Sequence, residues 1–129
     1  MLPDQVLSAL KDLVGPKHVL LAPEDLQRFG VDRTTLWQPN PCAVVLPSTV
    51  NAVQKIMRLA NESNLAVVPS GGRTGLSGGA VARNGEVVVS FDKMDRILDF
   101  NEVDRSVLVE AGVVTQALQE YARDKGLFY

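Results

Sequence analysis

This 129-residue chain has one cysteine, Cys42, and one histidine, His18. A lone cysteine excludes an internal disulfide, and a cytoplasmic setting is the expectation that results. Two such ligands fall short of the four or so that a zinc site takes, so no metal site is expected. A Ser-His-Asp triad would have to use His18, which lies in a Gly-Pro-Lys-His turn with no serine elbow near it. His18 reads instead as a surface turn residue. No run approaches the roughly 18 consecutive apolar residues of a membrane span. The N-terminus, MLPDQVLSALKDLVGPKH, lacks a basic n-region and a small-residue cleavage site, and so does not read as a secretory signal. A net charge of −2 gives no electrostatic reason to expect nucleic acid or an anionic membrane as partner.

What is there is an ordinary globular composition, 46% hydrophobic and 22% charged, at the length of one domain or of a piece of a larger one. Val6, Leu7, Leu10, Leu13 and Val14 recur at helical spacing, and Gly15-Pro16 supplies the stop. A short helix is expected after Pro23, through Leu26 and Phe29. Residues 30–42, with Trp37, Pro39 and Pro41, read as an irregular arm. Ala43 to Leu46 reads as a buried strand ended by Pro47. Ser48 or Thr49 then caps a helix with Val53, Ile56, Met57 and Ala60 inward. Leu65 to Val68 reads as a second buried strand, so strand, helix and strand form a parallel, right-handed βαβ unit.

That second strand runs into PSGGRTGLSGG, from Pro69 to Gly79, which holds five of the chain's ten glycines in eleven residues. A plain connector needs one or two glycines, whereas here pairs bracket Arg73-Thr74 and Leu76-Ser77. Without side chains, successive amides can converge on an anion as a nest. Ser70, Thr74 and Ser77 add hydroxyls and Arg73 a charge, a set suited to a phosphate or pyrophosphate. The loop also stands at the carboxyl end of a parallel strand, where open α/β sheets place ligands. No lysine follows a glycine as the triphosphate loop requires, and the glycine spacing is not that of the dinucleotide fingerprint. A strand comes next rather than a helix, so the nest is expected to hold the anion without a helix dipole.

Beyond the loop, Asn84-Gly85 is a turn and Glu86 to Phe91 is strand-like. Arg96 to Asn101 and Ser106 to Glu110 flank the polar turn 102–105 as a hairpin that Gly112 breaks. Thr115 is expected to cap a last helix with Leu118, Tyr121 and Ala122 inward and Gly126 as its stop. Leu127-Phe128-Tyr129 reads as the start of another strand, and the chain is expected to be a fragment.

This P-x-G-G-x-T-G-x-x-G-G loop after a βαβ unit resembles the first flavin-binding part of the FAD-linked oxidases related to vanillyl-alcohol oxidase and p-cresol methylhydroxylase. Within them it is most similar to the branch of D-lactate and D-2-hydroxyglutarate dehydrogenases and the glycolate oxidase flavin subunit. "CAVVLPSTVNAVQKIMRLANESN", "VVVSFDKMDRILDFNEVDRSVLVEAGV" and "TQALQEYARDKGLFY" resemble further family stretches in the same order. The resemblance covers residues 40–129 well and the N-terminal part loosely.

The resemblance implies an α+β fold, a small parallel βαβ subdomain followed by the start of a mainly antiparallel sheet with flanking helices. Residues 1–40 would be an N-terminal helical segment and arm, and 41–129 the N-terminal part of an FAD-binding domain. Gly71, Gly72, Arg73, Thr74, Gly75, Leu76, Ser77, Gly78 and Gly79 would cradle the FAD pyrophosphate, with Pro69 and Ser70 leading in. Pro47 would lie near the adenine side, and Gly112-Val113 would approach the same half of the cofactor. Some family members link flavin to a histidine just after the Gly-Gly pair. Arg73 stands there, so noncovalent FAD is expected. The implied activity is oxidation of a small 2-hydroxy acid in the full-length protein. A homo-oligomer or an electron-acceptor partner is allowed, and the fragment alone is expected to be inactive. Family substrate residues lie in later segments, so no catalytic residue is named here.

Other residues have plainer readings. Trp37 is expected to pack on the sheet and Cys42 in the core. Asp92, Lys93, Asp95 and Arg96 read as a solvated turn, and Tyr129 resembles a family position near the flavin ring. An anion-binding module without redox activity and a ligand-free scaffold remain the alternatives.

Overall fold

The computed structural model describes residues 2–34 and 36–129. Thr35, within the expected arm, lies outside the described residues.

Helix α1 (Asp4–Val14) carries an acidic residue in its first turn and ends at Gly15, whose positive φ of 89° lets its N–H donate to Lys11 O at 2.8 Å. A single 3₁₀ turn, Pro16–His18, leads into β1 (Val19–Leu20). Helix α2 (Pro23–Phe29) opens with proline at N1, and β2 spans Ala43–Val45. Helix α3 (Val50–Glu62) starts where Thr49 Oγ1 accepts from the Ala52 N–H at 3.1 Å. Strands β3 (Val67–Ser70) and β4 (Val87–Ser90) follow, then the hairpin β5 (Ile97–Asn101) and β6 (Ser106–Val109), then helix α4 (Thr115–Asp124).

The main sheet has the order β1-β2-β4-β3, with β2, β4 and β3 parallel and β1 antiparallel on the edge. Alternation along the parallel strands feeds two cores. Ala43, Val45, Val87 and Val89 pack with Val6 and Leu10 of α1 and Ile56 of α3, while Val44 and Val88 pack with Phe29, Leu46 and Ala82. The hairpin pairs antiparallel as a separate sheet. The architecture is the expected α+β one.

Several details differ from the sequence reading. The strands of the βαβ unit are not neighbours, because β4 inserts between them and pairs with both. The second strand starts two residues late, at Val67, and is half-buried because it holds the open edge of the sheet. On α3, Ala52 turns inward while Met57 is 47% exposed. The cap of α4 is Val114, with no side-chain bond, and Thr115 is the first helical residue. Leu127 to Tyr129 form no strand, and Phe128 is fully exposed.

Candidate functional site: a glycine cleft at the end of the parallel strands

The glycine loop leaves β3 at Ser70, beside the carboxyl end of β4. Its first half, Gly71 to Thr74, forms one wall of an open cleft of about 580 Å³. Asp92 and Asp95, from the turn after β4, also line it, as do Gly112 to Thr115, the segment that leads into α4. The cleft therefore has a helix N-terminus, contributed forty residues after the loop. This corrects the expectation that the nest works without a helix dipole. With no side-chain cap on α4, the first-turn N–H groups are free to meet an anion.

The glycines divide by what surrounds them. At Gly112 a Cβ would lie 1.9 Å from Phe91 O and 2.8 Å from Met94 O, so intrachain crowding alone demands glycine. At Gly78, φ is +79° and a Cβ would meet the Trp37 ring at 2.2 Å. Gly71, Gly72, Gly75 and Gly79 show neither condition. Their φ values lie outside the left-handed region, and the nearest atom to an added Cβ is 3.6 Å away at Gly75, 3.8 Å at Gly71 and 4.0 Å at Gly72. At Gly79 none of the described residues lies within 4 Å. Among the described residues nothing requires these four to be glycine, although each costs backbone entropy to order.

The second half of the loop is tied to the arm. Asp32 Oδ2 accepts from the Gly78 N–H at 2.9 Å, and Asp32 Oδ1 accepts from the Thr34 N–H at 2.8 Å. The Arg33 N–H donates to Gly75 O at 2.9 Å. Trp37 lies against the loop at Gly78, with the Arg83 guanidinium 5.1 Å from its ring centroid. Its contact is thus with the glycine loop, where the sequence reading placed it on the sheet. Leu76 and Ser77 are exposed at the loop tip.

Arg73 sits in the left-handed region, φ +57°, a conformation that costs an L residue about 1 kcal/mol. Three contacts hold it. Its guanidinium makes a bidentate pair with Asp92, both N–O distances 3.0 Å, donates to Gly71 O at 3.0 Å, and stacks 4.8 Å from the Phe29 centroid. Burial pushes the Asp92 carboxyl up, but hydrogen bonds from Arg73 and Ser90 and the Arg73 charge outweigh it and hold the pKa below the ordinary value. A second pair, Arg96 to Glu110 at 2.7 Å, staples the start of the hairpin to its end, and Glu110 is 7% exposed. Arg96 hydrogen bonds, from side chain and backbone, lower the Glu110 pKa. Asp92 is thus a paired residue of the cleft and Asp95 lines it too, which corrects their reading as parts of a solvated turn, whereas the Arg96 side chain is paired but remains mostly exposed.

Ser70 is fully buried and its Oγ has no hydrogen-bond partner, the one such side-chain atom among the described residues. Thr74 lines the cleft, whereas Pro69 is exposed on β3. Pro47 is fully buried at the end of β2 and is not part of the cleft lining. Cys42 is half-buried against the core, and burial raises its thiol pKa. His18 Nδ1 bonds Val14 O at 2.8 Å within its turn. Asp32 and Val114 are site residues that the sequence reading missed. An aspartate in an aperiodic arm and a valine before a helix carry no local signal.

Comparison with known proteins agrees with this geometry. The chain is 52% identical over 124 residues to a D-2-hydroxyglutarate dehydrogenase of Stutzerimonas stutzeri, covering 96% of this chain and 27% of that protein. It is 34% identical over 120 residues to the mitochondrial D-2-hydroxyglutarate dehydrogenase of Bos taurus, covering 93% of this chain and 22% of the other. The chain thus spans about a quarter of the length of these relatives. The fold superposes on p-cresol methylhydroxylase with a TM-score of 0.82 at 23% identity, over 96% of this chain and 25% of that one. No described helix is long and apolar enough to cross a membrane. Residues 41–129 match the FAD binding domain family, and the chain belongs to it.

Proposed function

We propose that this chain supplies the diphosphate cradle of an FAD site in a flavoenzyme that oxidises a small 2-hydroxy acid, of the D-2-hydroxyglutarate or D-lactate kind. The observation that carries the cradle is the set of four glycines, Gly71, Gly72, Gly75 and Gly79, whose missing side chains no contact among the described residues explains. A group from outside the chain that approaches the backbone explains them. The uncapped start of α4, whose first residues line the same cleft, fits an anion arriving there.

In this reading Gly71 to Thr74 and Val113 to Thr115 hold the diphosphate from two sides, while Asp32 and Trp37 fix the loop from behind. Gly75 to Gly79, with Leu76 and Ser77 at the tip, extend the cradle. Pro69 and Pro47 shape the strand ends beneath it. When bound, FAD supplies the redox chemistry and accepts the substrate hydride. The chain's own residues bind and orient it. Arg73 stands where some members of the family carry a flavin-linking histidine, and noncovalent binding belongs to the proposal for that reason.

Residues 41–129 form the cofactor part of this proposal and 1–40 the helical segment and arm. The substrate class rests on the names of the relatives, which include a D-lactate dehydrogenase of Anaerostipes hadrus. An electron acceptor, a homo-oligomer and a cytoplasmic location belong to the proposal in the same way. Nothing in the geometry or the relatives favours a non-redox module.

The test is an absorption spectrum and an FAD titration of the full-length protein, beside Gly72→Leu. The substituted position is exposed and uncrowded, so the fold is retained. A flavin spectrum that is lost with Gly72→Leu supports the cradle. A colourless wild type, or equal affinity in both proteins, overturns it.

A further inference from the structure

The cleft that is proposed to hold a diphosphate has two carboxylates in its lining, Asp92 and Asp95. Among the described residues Asp92 alone of the two is paired, by the bidentate Arg73 contact. An unpaired carboxylate in the lining opposes a bound diphosphate, which carries one negative charge on each phosphate, by direct repulsion.

We propose that Arg73 serves as a positioning residue that masks Asp92 and fixes the loop, rather than as a phosphate ligand. This rests on the FAD-cradle reading. The guanidinium is already committed. Two of its nitrogens hold the two Asp92 oxygens, one of these also holds Gly71 O, and its face covers Phe29. Phe29 is itself a core residue, 4% exposed, so the stack ties the cleft wall to the second core. Arg28 covers the same ring at 5.1 Å and adds positive charge near Asp92. The bond to Gly71 O spans the first two loop glycines, so the same side chain that neutralises Asp92 sets the loop's opening turn. These contacts are made from a left-handed backbone at Arg73, φ +57°.

The two roles give opposite results in a charge-balance experiment on FAD affinity, read on the full-length protein by the change in flavin fluorescence on binding. Arg73→Gln exposes the Asp92 charge. Affinity falls on the order of tenfold, and added salt strengthens binding where it leaves the wild type flat or weaker. Arg73→Gln with Asp92→Asn restores the net charge of the wall, and FAD affinity returns to within about threefold of wild type. Arg73→Lys keeps the charge that masks Asp92 but loses the bidentate fork and the Phe29 stack, so its affinity falls between those of wild type and Arg73→Gln. A double variant as weak as Arg73→Gln, with no salt reversal, makes Arg73 a direct phosphate ligand and overturns the proposal. If Arg73→Gln does not fold, the double variant compared directly with wild type decides between the two roles. Absence of FAD binding by the wild type would instead overturn the cradle reading and this inference with it.

Discussion

Gly112→Ala places a methyl group where the backbone has no room. The added Cβ would sit 1.9 Å from Phe91 O, and real contacts do not fall below 3.0 Å, so a displacement of about 1.1 Å is required. Both blocking oxygens are carbonyls already bonded within the turn. Phe91 O accepts from the Met94 N–H at 2.8 Å, and Met94 O from the Gly112 N–H at 2.8 Å. No flexible side chain can give way. Overpacking costs about 1–3 kcal/mol and loss of the Gly112 bond about 1 more, for a total of about 2–4 kcal/mol. For a domain of this size, about 4 °C of melting temperature per kcal/mol gives a fall of about 8–16 °C. Gly79→Ala is the control, since an added Cβ there meets nothing and the change stays within about 0.5 kcal/mol. Thermal unfolding followed by far-ultraviolet circular dichroism reads both. A Gly112→Ala protein melting within 2 °C of wild type would refute the reasoning, because the carbonyl crowding would then be relieved at no cost.

The ties around the cleft give two more predictions. Asp32→Ala leaves the Thr34 and Gly78 amides without their acceptor and is expected to cost about 1–3 kcal/mol and to weaken FAD binding, whereas Asp32→Asn keeps an acceptor oxygen and loses less. Denaturant melts and FAD titrations on the two variants decide this. The Asp92 and Glu110 carboxyls both have lowered pKa values in the folded chain. Their stabilisation is therefore complete above the unfolded value, about 4, and is lost as pH falls through the lower folded value. Asp92→Asn should flatten the acid limb of a stability–pH profile, and an unchanged limb would show that the Arg73 pair carries no linkage.

Local structure was legible in the sequence because it is written in local spacing. The apolar period of α1, the threonine before α3 and the turn between β5 and β6 each act within a few residues. The glycine loop stood out by composition alone. The pairings were not legible. Val87 to Val89 form an apolar run that suits any buried strand, and nothing in it states that β4 enters between β2 and β3. Asp32 to Gly78, Arg73 to Asp92 and Arg96 to Glu110 join residues 46, 19 and 14 apart. Only the folded chain brings them together. The approach of α4 to the loop is of the same kind. A strand directly after the loop argued against a helix dipole, yet the helix arrives from the far side of the hairpin.

The central claim is that this cleft holds a diphosphate, with the flavin ring lying beyond it. Competition against FAD bound to the full-length protein tests that most directly, with ADP and riboflavin as the competitors and the FAD retained after desalting, separated by chromatography, as the readout. ADP carries the diphosphate and adenosine without the ring, and riboflavin the ring without the diphosphate. The account predicts that ADP displaces FAD from the wild type, that riboflavin does so far more weakly, and that Gly72→Leu binds neither FAD nor ADP. Displacement by riboflavin with none by ADP would contradict it, because the anchor would then be the ring and the glycine loop would have no anion to hold.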